Sequence, residues 1–419
     1  MRKKFFLTTL LLLGALGQAA LPSRTHYPSL RSGAERHRLH VGITDAGFGT
    51  SAYENTIPAA FNSLTPESVM KFENIHPCPP RWLIEQNAGV AAWVREHGAD
   101  RPEASHHCTL ARAADDEWEW ERLDRLLTWA NEHQLGFRGH TFLWHMQNPG
   151  WLTDGSISLT TDQRRRVLEE HIQTAIAHTC TYPNLYAYDI VNEAIQPDGS
   201  LVSNPWSPLA DYIDLAFRIA RRALETCGRP EIRLYYNDFE FEYGGEKADA
   251  IYAYLSHLLL RPDATPIDGI GFQTHSQTLH ITTLPHDAGA LMATLDRFSN
   301  GLGLETAITE TDLPIAGEAL TLWYGEQGRW LGERLQACLD AANCVGYTLW
   351  GTHDGASWRV YFKGDLDPLI FYDSKEKVYD PRRRQCVEPA SIRMPGSERF
   401  CPKPAYTALA DVLRKHTTR

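Results

Sequence analysis

Eight short apolar runs alternate along this 419-residue chain with segments of helix length, and that alternation restricts the available folds more than any other feature. The runs cover residues 39–44, 60–64, 136–142, 185–192, 232–237, 269–274, 304–310 and 345–350, and most are rich in β-branched and aromatic side chains. Strands that read as continuous apolar runs are buried on both faces, as in a parallel sheet covered by helices. Amphipathic segments over 117–133, 161–178, 211–226, 246–260, 286–300, 321–341 and 403–416 supply such helices. Eight alternating units predict the α/β class and a (β/α)8 TIM barrel. The rival, an open doubly wound sheet, carries a Gly-rich phosphate turn after its first strand; Gly47-Phe48-Gly49 is a poor match for one.

Composition is that of a folded domain, with 43% hydrophobic and 22% charged residues. Barrels of this kind take roughly 250 residues and tolerate insertions. The reading is therefore one barrel domain over 39–419, preceded by a polar lead over 21–38 and interrupted near 77–116 and 379–400 by loop insertions. Residues 1–20 read as a secretory signal: Arg2, Lys3 and Lys4 precede an apolar stretch over 5–16, then small residues suited to cleavage. That stretch is shorter than the roughly 20 residues a membrane span needs. Loss of the three basic residues takes the formal charge from -11 to -14, which disfavours nucleic acid and anionic membrane as partners and favours a neutral substrate.

Eight cysteines in a secreted chain imply disulfides. Local spacing pairs Cys338 with Cys344 around a helix-to-strand turn, and Cys386 with Cys401 around a polar, Pro- and Arg-rich stretch. It pairs Cys78 with Cys108 across the first insertion, and sets Cys180 and Cys227 opposite each other beneath successive strands. No Cys or His spacing suits a metal, and neither a metal nor a cofactor is expected.

Two of the strand-like runs close on a glutamate just as their apolar character stops: Glu193 after 185–192, and Glu310 at the end of 304–310. A lone strand-end glutamate is ordinarily a solvated residue. Two of them on one barrel rim suggest paired acid/base chemistry, because active sites of such barrels lie where the strands end. The other strand ends add Glu67 and Lys71, then His140, Trp144, His145 and Gln147, then Asn192, Asn237 and Asp238. Gln273 and His275 follow, then Asp312, and finally Trp350, Trp358 and Arg359. Amides, carboxylates, imidazoles and indoles on one rim describe a carbohydrate site, since sugar rings offer apolar faces to aromatics and hydroxyl edges to polar groups.

These residues stand in motifs that resemble glycoside hydrolase family 10, the retaining endo-β-1,4-xylanases, over about residues 41–413. The motifs, in order, are Phe61-Asn62-Ser63-Leu64-Thr65-Pro66-Glu67 with Met70-Lys71, then Gly139 through Gln147, then Asp189-Ile190-Val191-Asn192-Glu193-Ala194. They continue with Tyr235-Tyr236-Asn237-Asp238, Gly271-Phe272-Gln273-Thr274-His275, Ile308-Thr309-Glu310-Thr311-Asp312, and Trp350-Gly351 with Ser357-Trp358-Arg359. The resemblance implies Glu193 as general acid/base and Glu310 as nucleophile, with their carboxyls about 5 to 5.5 Å apart as in retaining glycosidases. It implies that His275, oriented by Asp312, holds Glu310 ionised, and that Asn192 grips the sugar 2-hydroxyl. Gln273, His140 and Trp350 are expected to wall the cleaved sugar's subsite. Lys71, Glu67, Trp144, Gln147 and Trp358 are expected to take sugars on its non-reducing side.

The chain departs from the family pattern at Ser68, where an asparagine is usual, at Phe239, where a tyrosine is common, and in the loop Thr352-His353-Asp354. The insertions near 77–116 and 379–400 are further departures. The expected function is a secreted, extracellular, monomeric endo-β-1,4-xylanase acting on xylan or xylo-oligosaccharides. The alternatives are the same mechanism on another β-linked glucan or glycoside, and a carbohydrate-binding protein without turnover. Against the last stand both glutamates, which are intact.

Overall fold

A computed structural model describes residues 29–97, 118–276, 287–315, 320–364, 366–392 and 396–417. Eight parallel strands close into a barrel in chain order: β1 His40–Thr44, β2 Ser63–Thr65, β3 Gly136–Leu143, β4 Leu185–Asn192, β5 Arg233–Asp238, β6 Gly269–Phe272, β7 Glu305–Thr311 and β8 Cys344–Leu349. Closure pairs β8 with β1, His40 opposite Gly346 and Gly42 opposite Thr348. The signals that place the elements are local. Thr160 and Gln163 form a reciprocal capping box that starts the long helix Thr161–Thr179, satisfying two backbone donors the first turn leaves unpaired.

Small residues inside the barrel make room for large ones. A Cβ on Gly269 would overlap the ring of Tyr235, and Tyr235 packs with Ala187 and Ala307 in an inner cluster. Outside, the helices bury a continuous apolar layer against the strands.

Several expectations shift. The run at 60–64 divides: Ala60 ends the helix Ser51–Ala60, capped at its start by Thr50, and β2 is only three residues long. In the run 269–274 the strand stops at Phe272, and Thr274 takes a left-handed backbone, φ +53°. The polar lead contributes a helix, Leu30–His37, which packs on the closing helix Pro404–Lys415; Gly33 lets it approach Leu413 too closely for any Cβ.

The first insertion forms helices Arg81–Gln86 and Ala88–His97 in its described part. That part packs against the outer layer of helices, with Trp82 Nε1 donating to Glu170 on the helix Thr161–Thr179. The second insertion builds a three-stranded antiparallel sheet, β9 Val378–Asp380, β10 Gln385–Val387 and β11 Arg399–Phe400, seated through buried Phe400. Disulfides join Cys180 to Cys227, Cys338 to Cys344 and Cys386 to Cys401, as the spacing predicts. Cys108 lies outside the described residues, as do residues 1–28. Among the described residues no helix is long and apolar enough to cross a membrane.

Candidate active site

β4 and β7 deliver Glu193 and Glu310 to the same mouth of the barrel. Glu193 is the first residue past β4 and turns there through a left-handed backbone, φ +54°, a conformation uncommon for a residue with a Cβ. Its N–H donates to Asn237 O at 2.9 Å, which fixes the turn. Its Oε1 accepts from Gln273 Nε2 at 2.9 Å and Asn192 Nδ2 at 3.1 Å, while Oε2 accepts from Trp144 Nε1 at 2.7 Å. The side chain keeps 13% exposure, so this carboxyl stays open to the mouth.

Glu310 lies within β7 and is buried. Its Oε1 accepts from Asn237 Nδ2 at 2.7 Å and its Oε2 from His275 Nε2 at 3.2 Å, with His140 Nε2 3.8 Å from Oε1. Asn237 Nδ2 also donates to Asn192 Oδ1 at 2.9 Å, and Thr309 Oγ1 donates to Asn237 Oδ1 at 2.7 Å. The two carboxyls are therefore joined through two side-chain amides, Asn237 and Asn192. Groups held this way have little freedom to reorient, which is what a reaction at a fixed atom requires.

Charged neighbours surround Glu310. Burial alone would push the Glu310 carboxyl up, but the His275 hydrogen bond, the nearby His140 ring and the His275 and Lys71 charges hold it below the usual range. His275 is itself opposed by burial, yet Asp312 and Glu310 raise it to about 10, so it is an imidazolium at neutral pH. Its Nδ1 donates to Asp312 Oδ2 at 2.8 Å, and Asp312 also accepts from Trp358 Nε1 at 3.1 Å and Arg359 at 3.2 Å. Burial would raise Asp312, but His275 and Arg359 keep it low. Charge thus alternates from Arg359 through Asp312 and His275 to Glu310.

On the other side of the mouth Lys71, almost wholly buried, donates to His140 Nε2 at 2.9 Å and lies 4.1 Å from the Trp144 ring centroid. Trp350 meets His140 edge-on at 5.1 Å. Glu67 turns to the start of the rim, where Thr44 Oγ1 donates to its Oε1 at 3.2 Å and its own N–H donates to Asp45. Burial and the Asp45 charge push Glu67 up to about 8. Gln147 stands at the edge, bonded to Glu73 at 3.2 Å. Among the described residues no group of His, Cys, Asp and Glu is placed to hold a metal ion.

Three residues escape a reading of strand ends. Arg138 and Asp189, both buried in the barrel, pair at 2.6 Å, and Asp189 also accepts from His140 Nδ1 at 2.8 Å. They fix the ring of His140 from below. An arginine in the otherwise uncharged run 136–139 was the available signal. Asp45, the neighbour that sets the charge at Glu67, gave none.

Comparison with known proteins identifies the family. Residues 30–380 match the profile of Glycosyl hydrolase family 10. Endo-1,4-beta-xylanase 1 of Humicola insolens is 30% identical over 337 residues, covering 78% of this chain and 68% of that protein. The crystal structure of native xylanase 10B from Thermotoga maritima superposes with a TM-score of 0.69 at 27% identity, covering 92% of this chain and 98% of the other. Xylanase 10B of Thermotoga petrophila, in complex with xylobiose, superposes with a TM-score of 0.70 at 26% identity, over 94% of this chain and 99% of that one. With its barrel, its paired glutamates and a match over most of its length, the chain belongs to glycosyl hydrolase family 10.

Proposed function

We propose that this protein is a secreted, monomeric endo-β-1,4-xylanase that cleaves xylan internally with retention of anomeric configuration. The observation that carries the reading is the pair Glu193 and Glu310, joined through Asn192 and Asn237 and differing in environment. Glu310, kept ionised by His275, attacks the anomeric carbon while Glu193 gives its proton to the leaving glycosidic oxygen. The C–O bond to the leaving chain breaks and a covalent glycosyl-enzyme forms on Glu310. Glu193, now a carboxylate, takes a proton from water, whose oxygen attacks the same carbon and frees Glu310. Two inversions give net retention.

Asn192 is suited to the sugar 2-hydroxyl, a contact that strengthens in the oxocarbenium-like transition state. Gln273, His140 and Trp350 wall the cleaved sugar. Lys71, Glu67, Trp144, Gln147 and Trp358 line the pocket for sugars on its non-reducing side. Xylan as substrate rests on the named relatives, endo-1,4-beta-xylanases, and on the xylobiose complex of one of them. Secretion rests on the leader-like residues 1–20 and the three disulfides. The domain reading, one catalytic barrel after a removed leader, goes with it.

The test is hydrolysis of xylan by the mature chain, with product sizes followed in time and the anomeric proton read by NMR. Mixed oligomers appearing first in the β-configuration are expected. Glu310→Ala should be nearly silent, and Glu193→Ala should lose about 10²- to 10⁴-fold in turnover. Activity on β-glucans with none on xylan would keep the chemistry and overturn the substrate; an initial α-product would overturn retention.

A further inference from the structure

The β8 end of the rim carries an aromatic strip that the proposed reaction does not use. The helix Trp358–Lys363 is anchored by its first two residues, since Trp358 Nε1 and Arg359 both donate to Asp312. Tyr361 and Phe362 follow at three and four positions from Trp358, the spacing that sets side chains side by side on one helix face. They are 70% and 84% exposed. Tyr361 is held in place by its hydroxyl, which donates to Gly355 O at 2.9 Å, and Lys363 Nζ lies 4.9 Å from the Trp358 ring centroid. Single exposed apolar residues need no explanation, but two exposed rings three and four positions from a tryptophan at the rim do.

We propose that Tyr361 and Phe362 form an outer sugar-binding platform, continuous with Trp358, that takes a further residue of the β-linked substrate chain on its non-reducing side. The side follows from the barrel. β8 neighbours β1 and β1 neighbours β2, so the strip shares an arc of the rim with Glu67 and Lys71 and with the nucleophile's partners, whereas Glu193 stands on β4 across the mouth. Pyranose rings stack their apolar faces on exposed aromatics while their hydroxyls stay in water. The strip therefore adds affinity for longer chains without touching the reacting atoms. The inference rests on the carbohydrate reading of the cleft.

The experiment compares the wild type with Tyr361→Ala, Phe362→Ala and the double variant on three substrates: soluble xylan, xylohexaose and an aryl β-xylobioside that fills only the inner subsites. For the double variant kcat/KM should fall about 3- to 10-fold on xylan and xylohexaose, through KM, and stay unchanged on the aryl xylobioside. Phe362→Trp in the Tyr361-intact chain should retain full activity on the long substrates. Equal rates of variant and wild type on all three would overturn the platform, as would a loss shared by the short substrate. A wild-type dimer that the double variant converts to monomer would assign the strip to a second copy of the chain instead. A wild type inactive on xylan but active on cello-oligosaccharides sinks the xylan reading alone, and the same comparison on long and short cello-oligosaccharides then decides the platform.

Discussion

His275 is the residue on which the charge of Glu310 depends. It bonds Glu310 through one nitrogen and Asp312 through the other, and the two carboxylates keep it charged to about pH 10. Reciprocally, its charge is part of what keeps Glu310 below the usual carboxylate range against the opposing effect of burial. Replacement by a neutral side chain of similar reach, His275→Gln, leaves burial unopposed by that charge. The pKa of Glu310 should then rise, so the acidic limb of kcat/KM should move to higher pH by about one unit or more. Thermal unfolding of the variant should remain cooperative, separating this from misfolding. An acidic limb that stays where the wild type has it would show His275 to be a spacer. Arg138 and Asp189 act one layer further in, orienting His140, and a sequence offers little to find them. Whether a charged residue in an apolar run faces the barrel axis or the helices depends on register, which the run does not carry.

Among the elements, β6 has the tightest link to the chemistry. It is four residues long and two are glycines. A Cβ on Gly271 would overlap the Asn237 amide oxygen and stand 2.8 Å from Thr309 Cγ2, the pair that positions the amide donating to Glu310. Gly346 on β8 also faces the barrel, but a Cβ there is tight only against Ala307 Cβ, at 3.3 Å, with His40 at ordinary contact distance. Gly271→Ala should therefore cost about 1–3 kcal/mol of stability by overpacking and also depress kcat, while Gly346→Ala should be the milder of the two on both counts. Calorimetric melting beside xylan turnover measures both, and equal effects would contradict the packing argument. The long strands were readable because both their faces are buried, which leaves continuous apolar runs such as 185–192. β2 was misplaced because three residues between a helix end and a loop carry too little pattern. The helix Leu30–His37 was missed because it buries only Leu30, Gly33 and Ala34, and its partner helix lies at the far end of the chain. The strand-end residues that gather at the mouth were readable for the same reason as the strands; Asp45, which acts through the loop, was not.

For the molecule as a whole, buried titratable groups of opposite sign determine how stability depends on pH. His40 and His353, lowered to about 4, and His76, lowered to about 3, are all shifted by burial and stay neutral in the fold. The unfolded chain protonates them below about 6.5, so they withdraw stability as pH falls. Glu67, raised to about 8, and Asp354, raised to about 7, are shifted first by burial and work in the opposite direction. In the fold they hold protons that the unfolded chain has already released, so they withdraw stability as pH rises towards those values. His275, raised to about 10, has this second sign as well: its contribution is complete below the unfolded value near 6.5 and is lost as pH rises through 10. Below 6.5 the two sets oppose each other. Between 6.5 and 8 the histidines with lowered values are neutral in both states, and Glu67, Asp354 and His275 remain. Lys71 and Lys403, lowered by burial, act against these three towards the alkaline end. The melting temperature should therefore fall from pH 6.5 to pH 8. Glu67→Gln removes one of the groups responsible while keeping an acceptor for Thr44 Oγ1, and its fall over the same interval should be smaller. Parallel melting curves of the two proteins at both pH values make the comparison. An identical fall in each would mean that Glu67 ionises in the fold much as it does in the unfolded chain, and that the Asp45 charge beside it is answered by something other than a retained proton.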